Sequence, residues 1–476
     1  MDYESNSLCG NNFDELSPEF GIWLDRWFAL EKAIDDTSYK LYQQAKSSTS
    51  NGKVPPWAIT LKTSLKSLKE FGKKQFCFLL DKFNSKHLAE SPDFRKEFAF
   101  RRTLDQIAYD LTVMQQIRDQ RLLGSDDEKV TLMLADNLAY KALEPAIKKN
   151  LLCKTTVLTY LQKAPNVRVV PYAPIAIIGV PRSAVIDSSD PTEEYRHNIL
   201  DLLATVHEIG HYVYWHGRIG SIETAEGCEG PSLQAALRLE FPEQPAWRLA
   251  WLEEIFADVY GVLIAGPIIA YGIQNIVFDN LDLLEDDNEH PQPVIRPFIY
   301  NETLRQLRLF NKAAKELENL WEKKLQKRGF LTEDRQEIVE SEEFKEIRTY
   351  LQETIARILG ILQPLTANRK IWTSDTDNLK KSIEAFKDFL RELDDRDAPP
   401  LTPTLRSSDE TELESAKQRS EPESLLWTPG KTNFKNLEFL EKAQGLGLKL
   451  PPGLWTRLLD AGGWSTAGPE TGGNPA

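Results

Sequence analysis

The sequence predicts a mainly α-helical protein with one small β-sheet, an α+β fold. Apolar residues recur at helical period through most of its 476 residues. Only residues 167–180 are strongly strand-like. A hydrophobic content of 41% beside a charged content of 27% is ordinary for a globular chain, and the length suffices for two or three domains.

Residues 1–17 read as a flexible N-terminus. Ser17-Pro18-Glu19 opens a helix whose apolar positions Phe20, Trp23, Leu24, Trp27, Leu30, Ile34 and Leu41 keep the helical period. Asn51-Gly52 and Pro55-Pro56 mark a loop, and Ser91-Pro92 opens a further helix that runs to Gly124. Residues 18–165 therefore form a helical region without a catalytic motif of its own. In the strand-like stretch 167–180, Pro171 and Pro174 exclude a central strand and suit an edge or a bent ribbon. Such an edge can pair with an extended peptide or simply pack on a helix.

A core of 166–330 follows. Asp190, Pro191 and Glu193 signal the start of a helix that Gly217 ends in a left-handed stop, about 26 residues in all. Within the end of the core 301–329, and beyond it about 332–362 and 375–395, are amphipathic and helical, and 331–397 is a helical region. Residues 398–424, rich in Pro, Ser, Thr and acids, read as a flexible linker. A small C-terminal module at 425–461 regains Trp427, Phe434 and Trp455, and 462–476 reads as a disordered tail.

The most informative segment is Thr205-Val206-His207-Glu208-Ile209-Gly210-His211-Tyr212. On a helix, positions four apart share a face, so His207 and His211 can both bind a tetrahedral Zn²⁺. Glu208 sits at the edge of that face, where a general base for the attacking water belongs. A solvated helix can carry the same letters by chance. Here the histidines fall on the apolar side with Leu200, Leu203 and Tyr214, and a buried imidazole pair needs a partner.

A catalytic zinc takes three protein ligands and keeps one position open. Glu254 and Asp258 are again four apart, in Trp251-Leu252-Glu253-Glu254-Ile255-Phe256-Ala257-Asp258. One carboxylate can bind the metal while the other accepts the spare N–H of a ligand histidine. Glu253 competes as ligand, and Glu223, Glu226 and Glu229 are further candidates. With its His-Glu-x-x-His and its downstream Glu-x-x-x-Asp, 43 positions beyond His211, the chain resembles the gluzincin peptidases, the thermolysin-like zincins. The resemblance covers the two motifs and the gap between them. It implies a zincin-like catalytic domain with helical flanking regions, His207, His211 and Glu254 as zinc ligands, Glu208 as the base and Asp258 as the supporting carboxylate. The metzincin pattern fails, because Tyr214 and Gly217 stand where it needs glycine and histidine. His216 lies off the ligand face and reads as a helix C-terminal residue near the negative end of the dipole.

Asn288-Glu289-His290-Pro291 through Arg296 resembles the His-Pro…Arg segment of several zinc-peptidase families. His290, Tyr300 or Arg296 can supply donors to an oxyanion, and a cation can hold a substrate carboxylate. A proline-rich turn with a capping histidine is the plainer reading.

The expected activity is zinc-dependent hydrolysis of peptide bonds in a protein substrate, with a partner docking through the C-terminal module. The alternatives are a non-catalytic zinc-binding scaffold and a membrane-associated peptidase using the apolar run 259–273. That run is shorter than the roughly 20 residues a span needs and fits a buried core helix. A net charge of −14 without a basic stripe argues against nucleic acid and anionic membranes. The acidic start Met1-Asp2-Tyr3-Glu4-Ser5 predicts no secretory signal. Cys9, Cys77, Cys153 and Cys228 are far apart and predict free thiols in a reducing cytoplasm, with Cys228 a candidate to block the open zinc position.

Overall fold

The computed structural model describes residues 7–8, 11–12, 20–48, 52–85, 95–170, 172–186, 199–224, 227–241, 246–278, 282–283, 290–329, 342–366, 378–393 and 399–400. The chain is mainly helical with a small three-stranded sheet. In the segment expected to be flexible, β1 (Ser7–Leu8) and β2 (Asn11–Asn12) pair antiparallel. The C-terminal module and tail lie outside the described residues, as does all of the 398–424 linker except Pro399 and Pro400.

Helices α1 (Gly21–Ser47), α2 (Pro56–Asn84) and α3 (Lys96–Leu123) form the first layer. Pro56 occupies the first turn of α2, where its missing N–H costs nothing. Helix α4 (Asp126–Lys148) starts from a reciprocal capping box. The Glu128 N–H donates to Ser125 Oγ at 3.2 Å, and the Ser125 N–H donates to the Glu128 carboxylate at 3.1 Å.

The helical region expected to reach residue 165 ends with α4. Thr156–Gln162, with its β-branched and aromatic residues, is strand β3. A turn leads to β4 (Asn166–Val169), and β5 (Ile175–Pro181) inserts between them in the order β3-β5-β4. β5 runs parallel to β3 and antiparallel to β4. The strand-like stretch is thus a hairpin rather than a single edge element, and β5 is central. Pro174 precedes β5 and so breaks no ladder, while Pro171 lies outside the described residues.

The sheet is covered on both faces, and its alternation sorts side chains between two cores. Leu158, Tyr160, Ile175 and Ile177 pack with α1–α3. Val157, Leu161, Ala176, Ile178 and Val180 join α4 and all the helices that follow.

The second core holds α5 (Ala204–His216), α6 (Leu233–Leu239), α7 (Ala246–Ala265) and α8 (Pro267–Phe278). A small hairpin, β6 (Ile222–Thr224) with β7 (Gly227–Glu229), connects α5 to α6. Helix α5 is shorter than expected. Bonds of i to i+3 type at Leu202, Leu203, Thr205 and Val206 tighten the chain just before it, and residues 187–198 with the expected cap lie outside the described residues. Gly217 ends α5 with extended backbone, φ −60° and ψ 142°, not a left-handed stop. Space explains the glycine there, since a Cβ would stand 2.4 Å from the Val213 carbonyl and 2.6 Å from Leu233.

The apolar run 259–273 is split. Gly266, at φ +68°, ends α7 in the left-handed region that glycine adopts most cheaply, and Pro267 starts α8. Among the described residues no helix is long and apolar enough to cross a membrane. Helices α9 (Arg296–Gln306), α10 (Asn311–Lys327), α11 (Glu342–Ile361), α12 (Gln363–Thr366) and α13 (Leu379–Glu392) complete the order. Arg308, at φ +57°, lies in the break between α9 and α10, where one continuous helix was expected.

The cysteines depart from expectation. Cys77 and Cys153 are disulfide-bonded rather than free thiols. Cys9 lies outside the described residues, and Cys228 sits on β7.

Candidate metal centre

Helices α5 and α7 pack backbone to backbone at Gly210, where a Cβ would fall 2.6 Å from the Ala257 Cα. The glycine between the two histidines therefore lets the second motif approach the first. Their residues meet inside the larger core: His207 is 6%, Glu208 7%, His211 8%, Glu254 8% and Asp258 0% exposed.

His207 Nε2 and His211 Nε2 are 3.0 Å apart. Glu254 faces both, with Oε2 3.4 Å from His207 Nε2 and Oε1 3.3 Å from His211 Nε2. Tetrahedral zinc with bonds of about 2.0–2.1 Å sets its donors roughly 3.3–3.4 Å apart. Each histidine faces its own oxygen of Glu254 at about that spacing, and one atom from each of the three residues can be taken within 4.8 Å of the others, so the residue set fits the ion the motif implies.

The opposite nitrogen of each imidazole is held by a different carboxylate. His207 Nδ1 lies 2.8 Å from Asp258 Oδ1, and His211 Nδ1 lies 2.8 Å from Glu253 Oε1. Carboxylates at both Nδ1 atoms favour the proton there and turn the Nε2 lone pairs to the centre. Glu253 also accepts from the Trp215 indole N–H at 2.8 Å. As a neighbour of Glu254 with no helical relation to Asp258, it offers no local signal for this role; its pairing with His211 is tertiary.

Arg296, at the start of α9, bridges the acidic groups. Its Nε donates to Asp258 at 3.2 Å, and Nη2 donates to Asp258 at 3.1 Å and to Glu254 at 2.8 Å. Nη2 also lies 3.0 Å from His207 Nε2. The Tyr300 hydroxyl, fully buried, donates to Asp258. Both residues thus touch the ligand set. His290 Nε2 lies 3.4 Å from Glu254 Oε1 with 47% of its side chain exposed, the candidate donor most open to solvent. His216, by contrast, is buried against Tyr212, 4.4 Å between ring centroids. Burial, aided by Arg218, pushes its pKa down to about 3, so the helix end does not hold it charged.

Burial raises the Glu208 carboxyl above the ordinary glutamate range, opposed by the nearby His211 and His207. Burial also works to raise Glu254 and Asp258. It is outweighed at Glu254 by His211 and Arg296, and at Asp258 by Arg296 and His207, so both stay below their ordinary values. Glu208 is thus the carboxyl suited to take and return a proton, and Glu254 the one suited to remain an anionic ligand. Burial, aided by Tyr109 and to a smaller extent by Glu208, pushes the Tyr160 hydroxyl on β3 up to about 12. Of the loop acids, Glu223 and Glu229 sit on β6 and β7, and Glu226 lies outside the described residues. Among the described residues the metal-capable group is His207, His211 and Glu254.

No family model, no curated protein and no solved structure matches this chain.

Proposed function

We propose that the chain is a zinc-dependent peptidase of gluzincin type, acting on peptide bonds of a protein substrate. The observation that carries this reading is the pair of imidazoles whose Nε2 atoms face Glu254 at 3.3–3.4 Å while Glu253 and Asp258 hold their Nδ1 atoms. The zincin-like character of the domain belongs to the same proposal.

Zinc held by His207, His211 and Glu254 would supply Lewis acidity and bring the pKa of water to about 7. Glu208 takes the proton from the attacking water and delivers it to the leaving amine. A glutamate raised by burial suits both halves of that exchange. Asp258 and Glu253 keep the imidazoles oriented, and Arg296 offsets the concentrated negative charge. His290, half exposed beside Glu254, donates to the carbonyl oxygen as it gains charge.

A scaffold protein would need no base, and Glu208 is the residue that separates the two readings. Wild-type and Glu208→Gln protein should carry equal zinc, about one per chain. In a proteome digested by each, new N-termini should arise with wild type and fall by about 10²–10⁴-fold in rate with the variant. Identical cleavage maps would remove the catalytic reading. Disulfides persist in oxidising compartments and are rare in reducing cytoplasm, so Cys77 and Cys153 favour the former over the cytoplasmic location expected from sequence.

A further inference from the structure

One nitrogen of Arg296 faces more acceptors than it has protons. Its Nη2 lies 2.8 Å from Glu254 Oε2, 3.0 Å from His207 Nε2 and 3.1 Å from Asp258 Oδ1. A terminal guanidinium nitrogen carries two N–H groups, so only two of these contacts can be full hydrogen bonds. Asp258 is supplied in any case, by Arg296 Nε at 3.2 Å and by the Tyr300 hydroxyl. The two protons of Nη2 are therefore best placed on Glu254 and His207.

A neutral imidazole holds its proton on one nitrogen and a single in-plane lone pair on the other. His207 Nδ1 is 2.8 Å from Asp258 Oδ1, so the proton belongs there and Nε2 is the acceptor. A metal ion binds histidine through that same lone pair. Arg296 and a metal thus make exclusive claims on His207. Glu254 is different, because it has a second oxygen, Oε1, facing His211 at 3.3 Å.

We propose that Arg296 is a built-in competitor of the metal: its Nη2–H holds the His207 lone pair until zinc displaces it, and the guanidinium then stays on Glu254 and Asp258. The proposal rests on the reading of His207, His211 and Glu254 as metal ligands. Charge gives the reason for such a stand-in. Glu208, Glu254 and Asp258 are each more than nine-tenths buried, and clustered buried carboxylates repel unless a cation is paired with them. The guanidinium supplies that cation from within the chain, as a planar fork that lysine lacks. It keeps the donors assembled, and it also raises the metal concentration needed to enter, since apparent affinity falls with the receptive fraction. Hard, oxygen-seeking cations such as Mg²⁺ and Ca²⁺ gain little from an imidazole, so they are poorly placed to displace the N–H.

The test is zinc affinity, by chelator competition, in the wild type, Arg296→Gln and Arg296→Lys. Both variants lose the hold on His207. The first also loses the charge; the second keeps it, but one ammonium cannot span Asp258, Glu254 and His207 together. Each should bind zinc about fivefold or more tightly than the wild type. Weaker binding in both would make Arg296 a support for the ligands, and tighter binding in the glutamine variant alone would reduce the effect to net charge; either result overturns the proposal. A second measurement needs no variant. When zinc is added to the chelator-treated wild type, the Arg296 Nη2 proton resonances should shift and exchange faster with water, while Nε–H, still on Asp258, stays protected. Zinc that binds and leaves the Nη2 protons unmoved would overturn the competition and keep the metal site. No zinc binding by any of the three proteins would remove the metal site, and the competition with it.

Discussion

His211 Nδ1 and Glu253 Oε1 are 2.8 Å apart, which, beside the His207–Asp258 pair, gives each histidine of the metal-capable group its own carboxylate. Glu253 and Glu254, adjacent in sequence, thereby divide two tasks: one orients an imidazole and the other faces the centre.

Removing either orienting carboxylate should weaken metal binding without destroying it. Glu253→Gln and Asp258→Asn should each raise the zinc dissociation constant by roughly 10–100-fold, whereas Glu254→Ala should leave little bound zinc. Chelator competition measures all three. Full zinc in Glu254→Ala would transfer the ligand role away from that residue.

Gly210→Ala should disturb the centre without touching a ligand. The added Cβ meets Ala257 backbone at 2.6 Å, so α5 and α7 must separate. The expected cost is about 1–3 kcal/mol in urea unfolding, as for other overpacked cores, with weaker zinc binding alongside. Wild-type stability and affinity in this variant would show that the close approach is dispensable.

His216 should make stability depend on acid. Its folded pKa of about 3 lies below the ordinary histidine value of about 6.5 because burial opposes its charge. Between those values the unfolded chain binds a proton that the folded chain refuses. Its stabilising contribution is complete above about pH 6.5 and falls as the pH drops towards 3, by at most about 1.4 kcal/mol per pH unit. His216→Gln should flatten the difference in urea midpoint between pH 7 and pH 5; an unaltered difference would clear His216 of the effect.

Cys77 and Cys153 should resist thiol-blocking reagents in the denatured, unreduced protein, as peptide mapping can show. Reduction should lower stability by about 2–4 kcal/mol per bond. Labelling of both cysteines without a reductant would return them to the free thiols that their sequence spacing suggests.

What could be read from the sequence was local. His207 and His211 share a face by helical spacing, as do Glu254 and Asp258, and the structure brings three of these four together as metal-capable donors. The orienting role of Glu253 depends on a contact across 42 positions and leaves no periodic trace. Strand β3 merges with the helical region in the sequence because no proline or glycine stands between the long helix α4 and Thr156–Gln162. The centrality of β5 was hidden because Pro174 sits just before the ladder, not in it. Cysteine pairing is likewise a matter of folded proximity, which spacing alone does not encode.

The three-stranded sheet acts as a partition wall. Among the described residues the ion-pair partners of His207, His211 and Glu254 come from the α5–α9 side, while the α1–α3 layer keeps a core of its own and reaches towards Glu208 through Tyr160 of β3. Mutational drift in that first layer, including its aromatic stack of Trp23, Phe76 and Phe100, can reshape one half of the molecule while the chemistry in the other keeps its geometry. The metal-capable cluster and the helical cover are therefore distinct targets for engineering, coupled through three strands and through the buried Arg121–Asp136 ion pair between α3 and α4.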